Sequence, residues 1–455
     1  MRIAPLLLLC VACQAATAPE AAWDGDEVAD LELQLAAAGS GAEAANARQR
    51  GPRWRGAQLL EHYDGGDSTE PRVASDPSGR AVAVWTQAAG TVTSIWASRF
   101  AGSGWGAAAE IDDADPRGAN TPHVSVSDNG NAVAQWQRAT QTKGYSANQF
   151  RGGSWGTPQT FFDSISPSAF FGPVLSGSRT GTALVGWAST AGRGSNLFGA
   201  TLSGTTWTLA QQLPLGPATA LPTMGNVRTA SSPNGDSTLL WSQNDGTAFR
   251  LFINQFRNGA WGTAAIEVDP GASGGVSAAG LAIVRGPAEL VAWRGTSALW
   301  ANKRTSAWQG ARKIRDLPAG ATVSDLQVVS DSRGNGAFAL WLENNRVWTS
   351  RWSADTWSAA VSIEAVTTGN AGAPTIALEP GGNAVAVWTH AATRTDVWAN
   401  RFVPGRGWGT ATLIENDDTG DAAAPSAAVD GRGRALAVWQ QSDGTRLNVL
   451  SNRFD

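Results

Sequence analysis

Three features of the 455-residue sequence predict an all-β fold, an eight-bladed β-propeller of four-stranded antiparallel blades closed into a ring by the N-terminal strand. The first is composition: 53 Gly, 22 Trp and only 16% charged residues favour short strands and turns over helices. The second is an eightfold repeat of about fifty residues. The third is an unfinished last repeat whose missing piece stands at the other end of the chain.

The repeat is carried by two tryptophan series. The phrase Ala81-Val82-Ala83-Val84-Trp85 returns at Trp136, Trp187, Trp241, Trp293, Trp341, Trp388 and Trp439, at spacings of 51, 51, 54, 52, 48, 47 and 51 residues. A second Trp follows each of the first seven after 15 to 20 residues: Trp105, Trp155, Trp207, Trp261, Trp308, Trp357 and Trp408.

Each unit reads as strands a to d. Strand a is an alternating stretch such as Pro122-His123-Val124-Ser125-Val126. A tight turn follows, as in Asp76-Pro77-Ser78-Gly79 or Asp430-Gly431-Arg432-Gly433, with a leading polar residue that suits a type I turn. Asp76, Asp128, Asp331 and Asp430 are expected to serve these turns, since one carboxylate per turn is too few for calcium. Strand b is the Ala-Val-Ala-Val-Trp run. Strand c is Trp96-Ala97-Ser98-Arg99-Phe100 or Trp398-Ala399-Asn400-Arg401-Phe402, and strand d opens with Gly407-Trp408-Gly409. Such units in tandem predict a propeller. The eighth unit stops at Asp455 without a strand d, whereas Pro52 to Ala57 carries the strand d pattern with no strands before it. Pairing the two closes the ring and removes two exposed edges.

Residues 1–13 read as a lipoprotein-type leader. Ile3 to Ala12 is a short apolar run, and the small residue before Cys13 suits lipidation there; cleavage after Ala18 is the alternative. Residues 14–53 read as an acidic, Ala-rich tether, and residues 54–455 as the propeller. The reading places the protein outside the cytoplasm, as an outer-membrane lipoprotein or a secreted protein, touching membrane only through its anchor.

The phrases Gly130-Asn131-Ala132-Val133-Ala134, Trp398-Ala399-Asn400-Arg401-Phe402 and Gly407-Trp408-Gly409-Thr410-Ala411 resemble those of secreted Trp-rich repeat proteins and lipoproteins of Gram-negative bacteria. That group has no settled activity. The architecture is also similar to that of propeller lectins, which implies sugar binding between blades, and of a propeller lipoprotein of outer-membrane assembly machinery.

The net charge of −4 argues against a nucleic-acid partner. Three His, two Cys and two Tyr supply no metal cluster, thiol site or sialidase-like site, and no Gly-x-Ser-x-Gly elbow is present. The chain is therefore expected to be a monomeric binding module without a cofactor, and not an enzyme; a propeller glycosidase is the minor alternative. Strand b Trp residues are expected to pack between blades. Trp105 and its equivalents are expected to cover blade edges, stacked on Arg99, Arg351 or Arg401. The candidate glycan platform comprises the strand c Trp residues (Trp96, Trp300, Trp348, Trp398) beside the polar Gln87, His390 and Gln441. An acidic sector is expected from Asp64, Asp67, Glu70, Asp112, Asp113, Asp115, Asp417, Asp418 and Asp421 in neighbouring d-to-a loops. It would suit a basic partner; calcium is an unsupported option. The function expected is glycan or polysaccharide binding, with a scaffold for envelope proteins as the alternative.

Overall fold

Alternating small and apolar residues let every repeat fold as one antiparallel sheet, its strands hydrogen-bonded in chain order. The computed structural model describes residues 52–455 apart from 64, 113–117, 139–143, 164–168, 192–193, 218–222, 270–274, 285, 287, 332, 367 and 416–418. The leader, the tether and Cys13 lie outside the described residues. Blade one consists of Ser68–Ser75, Ala81–Ala89, Val92–Phe100 and Ala109–Glu110. Eight such sheets follow one another, and every regular element among the described residues is a strand. Strand a of each blade touches strand a of the next all the way round, so these strands form the inner wall.

The ring closes as expected. Gln58–Leu59 pairs with Leu447–Phe454 in the register Gln58 to Ser451 and Leu59 to Leu450, and Trp54 bridges to Phe454. The eighth blade thus takes its outer strand from the start of the propeller.

Strand d is shorter than its sequence suggests. In blade seven Gly407–Trp408 pairs with the end of strand c, the pairing lapses, and Thr412–Leu413 pairs again. The cause is Asn400, whose amide donates to the Gly409 carbonyl at 3.0 Å and to Ile363 of blade six at 2.8 Å. Asn148 and Asn452 likewise reach the preceding blade, at Ile111 and Ile414. The Asn of the Trp-Ala-Asn-Arg-Phe phrase is an interblade clasp.

The Arg of that phrase makes a second link, and it corrects the expected stacking. Arg99 lies 4.1 Å from the Phe150 ring centre, Arg401 3.9 Å from that of Phe454, and Arg453 5.7 Å from that of Phe100. Each guanidinium therefore covers the strand c Phe of the next blade, a cation–π contact, and not the strand d Trp. Trp105 instead meets Phe100 edge-on at 5.4 Å. Asp128 is also corrected. The turn of blade two is capped by Ser127, and Asp128 pairs with Arg179 at 2.7 Å. Asp76, Asp331 and Asp430 do accept the turn amides.

The core is eight layers between blades. Trp388 packs with Phe338, Leu340 and Leu342 of blade six, and Trp85 with Leu436 and Val438 of blade eight. One position breaks the pattern: Gln135 is 0% exposed where the equivalent residues are Leu240, Leu340 and Val387, and neither end of its amide is hydrogen-bonded. Gln135→Leu should stabilise the protein by about 1–3 kcal/mol, because a desolvated, unsatisfied amide is removed. Urea unfolding checks this, and a lowered midpoint would show that the amide has a structural partner.

Candidate functional site

The platform residues lie on strand c, facing the clefts between blades. Trp96, Trp300, Trp348 and Trp398 are all half-buried, each packed into an interblade layer. Three of them are covered on a face. Tyr63 stacks on Trp96 at 5.6 Å, Arg315 lies 3.8 Å from the centre of Trp348, and Lys313 lies 5.7 Å from that of Trp300. Trp398 meets His390 edge-on at 6.4 Å.

The polar partners differ from expectation, because they are buried. Gln87 accepts the Trp85 indole N–H at 3.3 Å, and Gln441 that of Trp439 at 2.8 Å. Residues i and i+2 share a strand face, so a Gln two positions after the Trp is placed to satisfy its N–H. Blade six uses Glu343, which accepts from Trp341 at 3.3 Å and is held by Arg315 at 2.7 and 2.9 Å. His390 is 3% exposed and bonds the Thr368 carbonyl at 2.6 Å. These side chains complete the interblade layers.

Of the acidic sector, Asp64, Asp113, Asp115, Asp417 and Asp418 lie outside the described residues. The described members accept main-chain amides. Asp112 accepts from the Ile95 amide at 3.0 Å, Asp421 from Thr395 at 2.7 Å, and Asp67 from Leu447 at 2.8 Å. Thr395 and Leu447 are the first residues of their strands c, whereas Ile95 lies inside its own, which runs Val92–Phe100. Glu70 accepts the Thr121 amide of blade two at 2.7 Å. Among the described residues no group of three or more His, Cys, Asp or Glu is placed to hold a metal.

Sequence reasoning missed two features. The first is a bulge in strand a, with Glu70, Thr121, Asn226, Asp325, Ala373 and Ala424 at φ between 43 and 54°. Pro71, Pro122, Pro374 and Pro425 follow directly, a position where the missing N–H does no harm. Arg72, His123 and Arg228 come next on the inner wall. Burial holds both guanidiniums below the usual arginine range, and burial together with the Arg72 charge pushes His123 down to about 4.

The second is a groove at the rim between blades six and seven, a cavity of ≈ 660 Å³. Its apolar wall is Trp408 against Phe402 and Phe338, both contacts edge-on at 5.7 Å. Exposed hydroxyls of Ser358, Ser362 and Thr410 line it, together with Arg351. Arg351 lies 5.2 Å from the Phe402 ring centre, and no ion pair among the described residues engages it. The equivalent groove between blades five and six holds only ≈ 200 Å³. There Lys303 is paired with Asp355 of the next c–d turn. Blade seven reads Val403-Pro404-Gly405-Arg406 at that turn and offers no carboxylate, which leaves Arg351 and the groove open.

No protein-family model matches the chain, and no curated protein does. Solved structures do. A protein of unknown function from Dyadobacter fermentans is 12% identical, with 89% of this chain and 99% of that chain covered, at a TM-score of 0.46. An α-L-arabinanase from Penicillium chrysogenum, complexed with arabinobiose, is 14% identical over 66% of this chain and 99% of its own, at a TM-score of 0.40. A sialidase from Streptococcus pneumoniae is 8% identical over 74% of this chain and 68% of its own, at 0.41. The expectation that the chain is not an enzyme is corrected by these findings, since the similar chains include glycosidases and sialidases. Likenesses this distant bring no activity with them.

Proposed function

We propose that this propeller is a saccharide-binding protein of the bacterial envelope, exported and lipid-anchored at Cys13, that holds its ligand in the rim groove between blades six and seven. The observation that carries the reading is the groove's pairing of an indole wall with unspent polar groups. Sugars present C–H faces to aromatic rings and hydroxyls to hydrogen-bonding side chains, and Trp408 with Arg351, Ser362 and Thr410 offers both. The volume of ≈ 660 Å³ suits a short oligosaccharide better than a single ion. The apolar leader before Cys13 and the likeness of the repeat phrases to those of Gram-negative envelope proteins support the location.

The test is a glycan array probed with the full-length protein recovered from membranes. A hit should weaken at least about tenfold in Arg351→Gln, which removes the free donors while keeping much of the stem that packs on Phe402. Trp408→Ala should abolish it. An array without hits, or hits that both variants retain, would sink the reading. Recovery only from the soluble fraction would sink the anchor.

A further inference from the structure

The a–b turns surround one end of the central channel, and they treat its two halves differently. On the side of blades eight, one and two, arginines tie turn to turn. Arg434 donates to the Ser78 carbonyl at 3.3 Å and Arg80 to that of Asp128 at 3.2 Å. Each is anchored by its own turn carboxylate, Asp430 at 2.7 Å and Asp76 at 2.6 Å. Blades four, six and seven carry Asp236, Asn335 and Asn383 at that position, so no such strap crosses them. A cavity of ≈ 410 Å³ opens there, lined by turns and strand ends of blades three to seven.

A donor and acceptor census of this cavity is one-sided. Arg333 is exposed, lines the cavity, and has no hydrogen bond or ion pair to its guanidinium among the described residues. Asn234 spends its carbonyl oxygen on the Ser232 hydroxyl, and its two amide hydrogens stay unspent. Arg179 shares the wall and has a single carboxylate, Asp128, beside it at 2.7 Å. The one carboxylate among the described residues of the wall, Asp331, is buried and already accepts the amides of Arg333, Asn335 and Gly336. The hydroxyl of Ser330 donates to the Ile283 carbonyl at 2.7 Å, and that of Ser231 is bonded to Ser176 and Ser237. Among the described side chains of the wall the unspent hydrogen-bonding capacity is donor, and two of the donors are cationic.

We infer that the channel mouth between the a–b turns of blades three to six binds a small molecule bearing an oxyanion, with Arg333 as its main contact and Asn234 and Arg179 beside it. A guanidinium grips a carboxylate or a sulfate or phosphate ester through paired N–H donors. The size of the cavity leaves room for the carbon skeleton that carries the anion. This site lies at the axis and is independent of the rim groove.

Titration calorimetry of the full-length protein against glucuronate, glucose 6-sulfate, glucose 6-phosphate and glucose tests it. At least one of the three anions should bind, more tightly than glucose and less tightly as salt is raised. Arg333→Gln should weaken that binding at least about tenfold and Arg333→Lys less, because a lysine keeps the charge and loses the fork. Neither should move the melting temperature. Which anion binds distinguishes a carboxylate from an ester ligand. Failure of all three to bind, glucose binding as well as they do, or an unchanged affinity in Arg333→Gln would overturn the inference. Loss of anion binding in Arg351→Gln but not in Arg333→Gln would overturn it too, by moving the anion to the rim.

Discussion

Removing residues 1–60 should lower the stability of the propeller by roughly 5 kcal/mol or more, whereas removing residues 1–51 should leave it within about 0.5 kcal/mol of the full chain. The longer deletion strips blade eight of its outer strand. It takes away Leu60, which is 1% exposed in the layer between blades eight and one, and Trp54, which meets Phe454 edge-on at 5.7 Å. It also leaves the Arg453 and Val449 carbonyls without the amides of Arg55 and Leu60, which donate at 2.9 and 2.8 Å. Asn452 loses two acceptor contacts as well, to the amides of Arg55 and Gly56 at 3.2 and 3.1 Å. The shorter deletion removes only the leader and the tether expected from composition. Guanidinium unfolding of the two truncations decides the matter, and coincident midpoints would show that closure contributes nothing.

The ring was legible in the sequence because it is a matter of period. Tandem Trp series fix the number of units, and the orphan strand d pattern at Pro52 to Ala57 fixes how the last is completed. Local chemistry was legible where a motif uses its own neighbours, as in the turns led by Asp76, Asp331 and Asp430. The side-chain roles of strand c were not, because Asn400 and Arg401 act on the blades before and after their own. A repeat read one unit at a time gives no sign of that. Gln87 and Gln441 could have been assigned from spacing alone, since two residues along a strand return to the same face. The rim groove had almost no signal: it exists because blade seven lacks the carboxylate that Asp355 supplies in blade six. A missing residue makes a site only once its neighbour is known.

The strand b tryptophans set up the second large effect, in which two residues at the same repeat position should respond differently to one substitution. Trp439→Ala and Trp187→Ala should each cost about 3–5 kcal/mol, because both rings are 0% exposed and their removal opens a cavity between blades. Replacement by Phe separates packing from hydrogen bonding. The Trp439 indole donates to Gln441 at 2.8 Å, so Trp439→Phe loses volume and also that buried hydrogen bond. Blade three has Ser189 at the position of Gln441, and the Trp187 N–H finds no partner. Trp187→Phe therefore loses volume while relieving an unsatisfied donor. The ring it leaves would still sit among Tyr145, Phe162 and Phe198, whose centres lie 5.0, 5.0 and 5.7 Å from that of Trp187. The cost of Trp439→Phe should exceed that of Trp187→Phe by about 1–2 kcal/mol in urea unfolding. Equal costs for the two Phe variants would mean that the indole N–H contributes nothing and that these residues are held by shape alone.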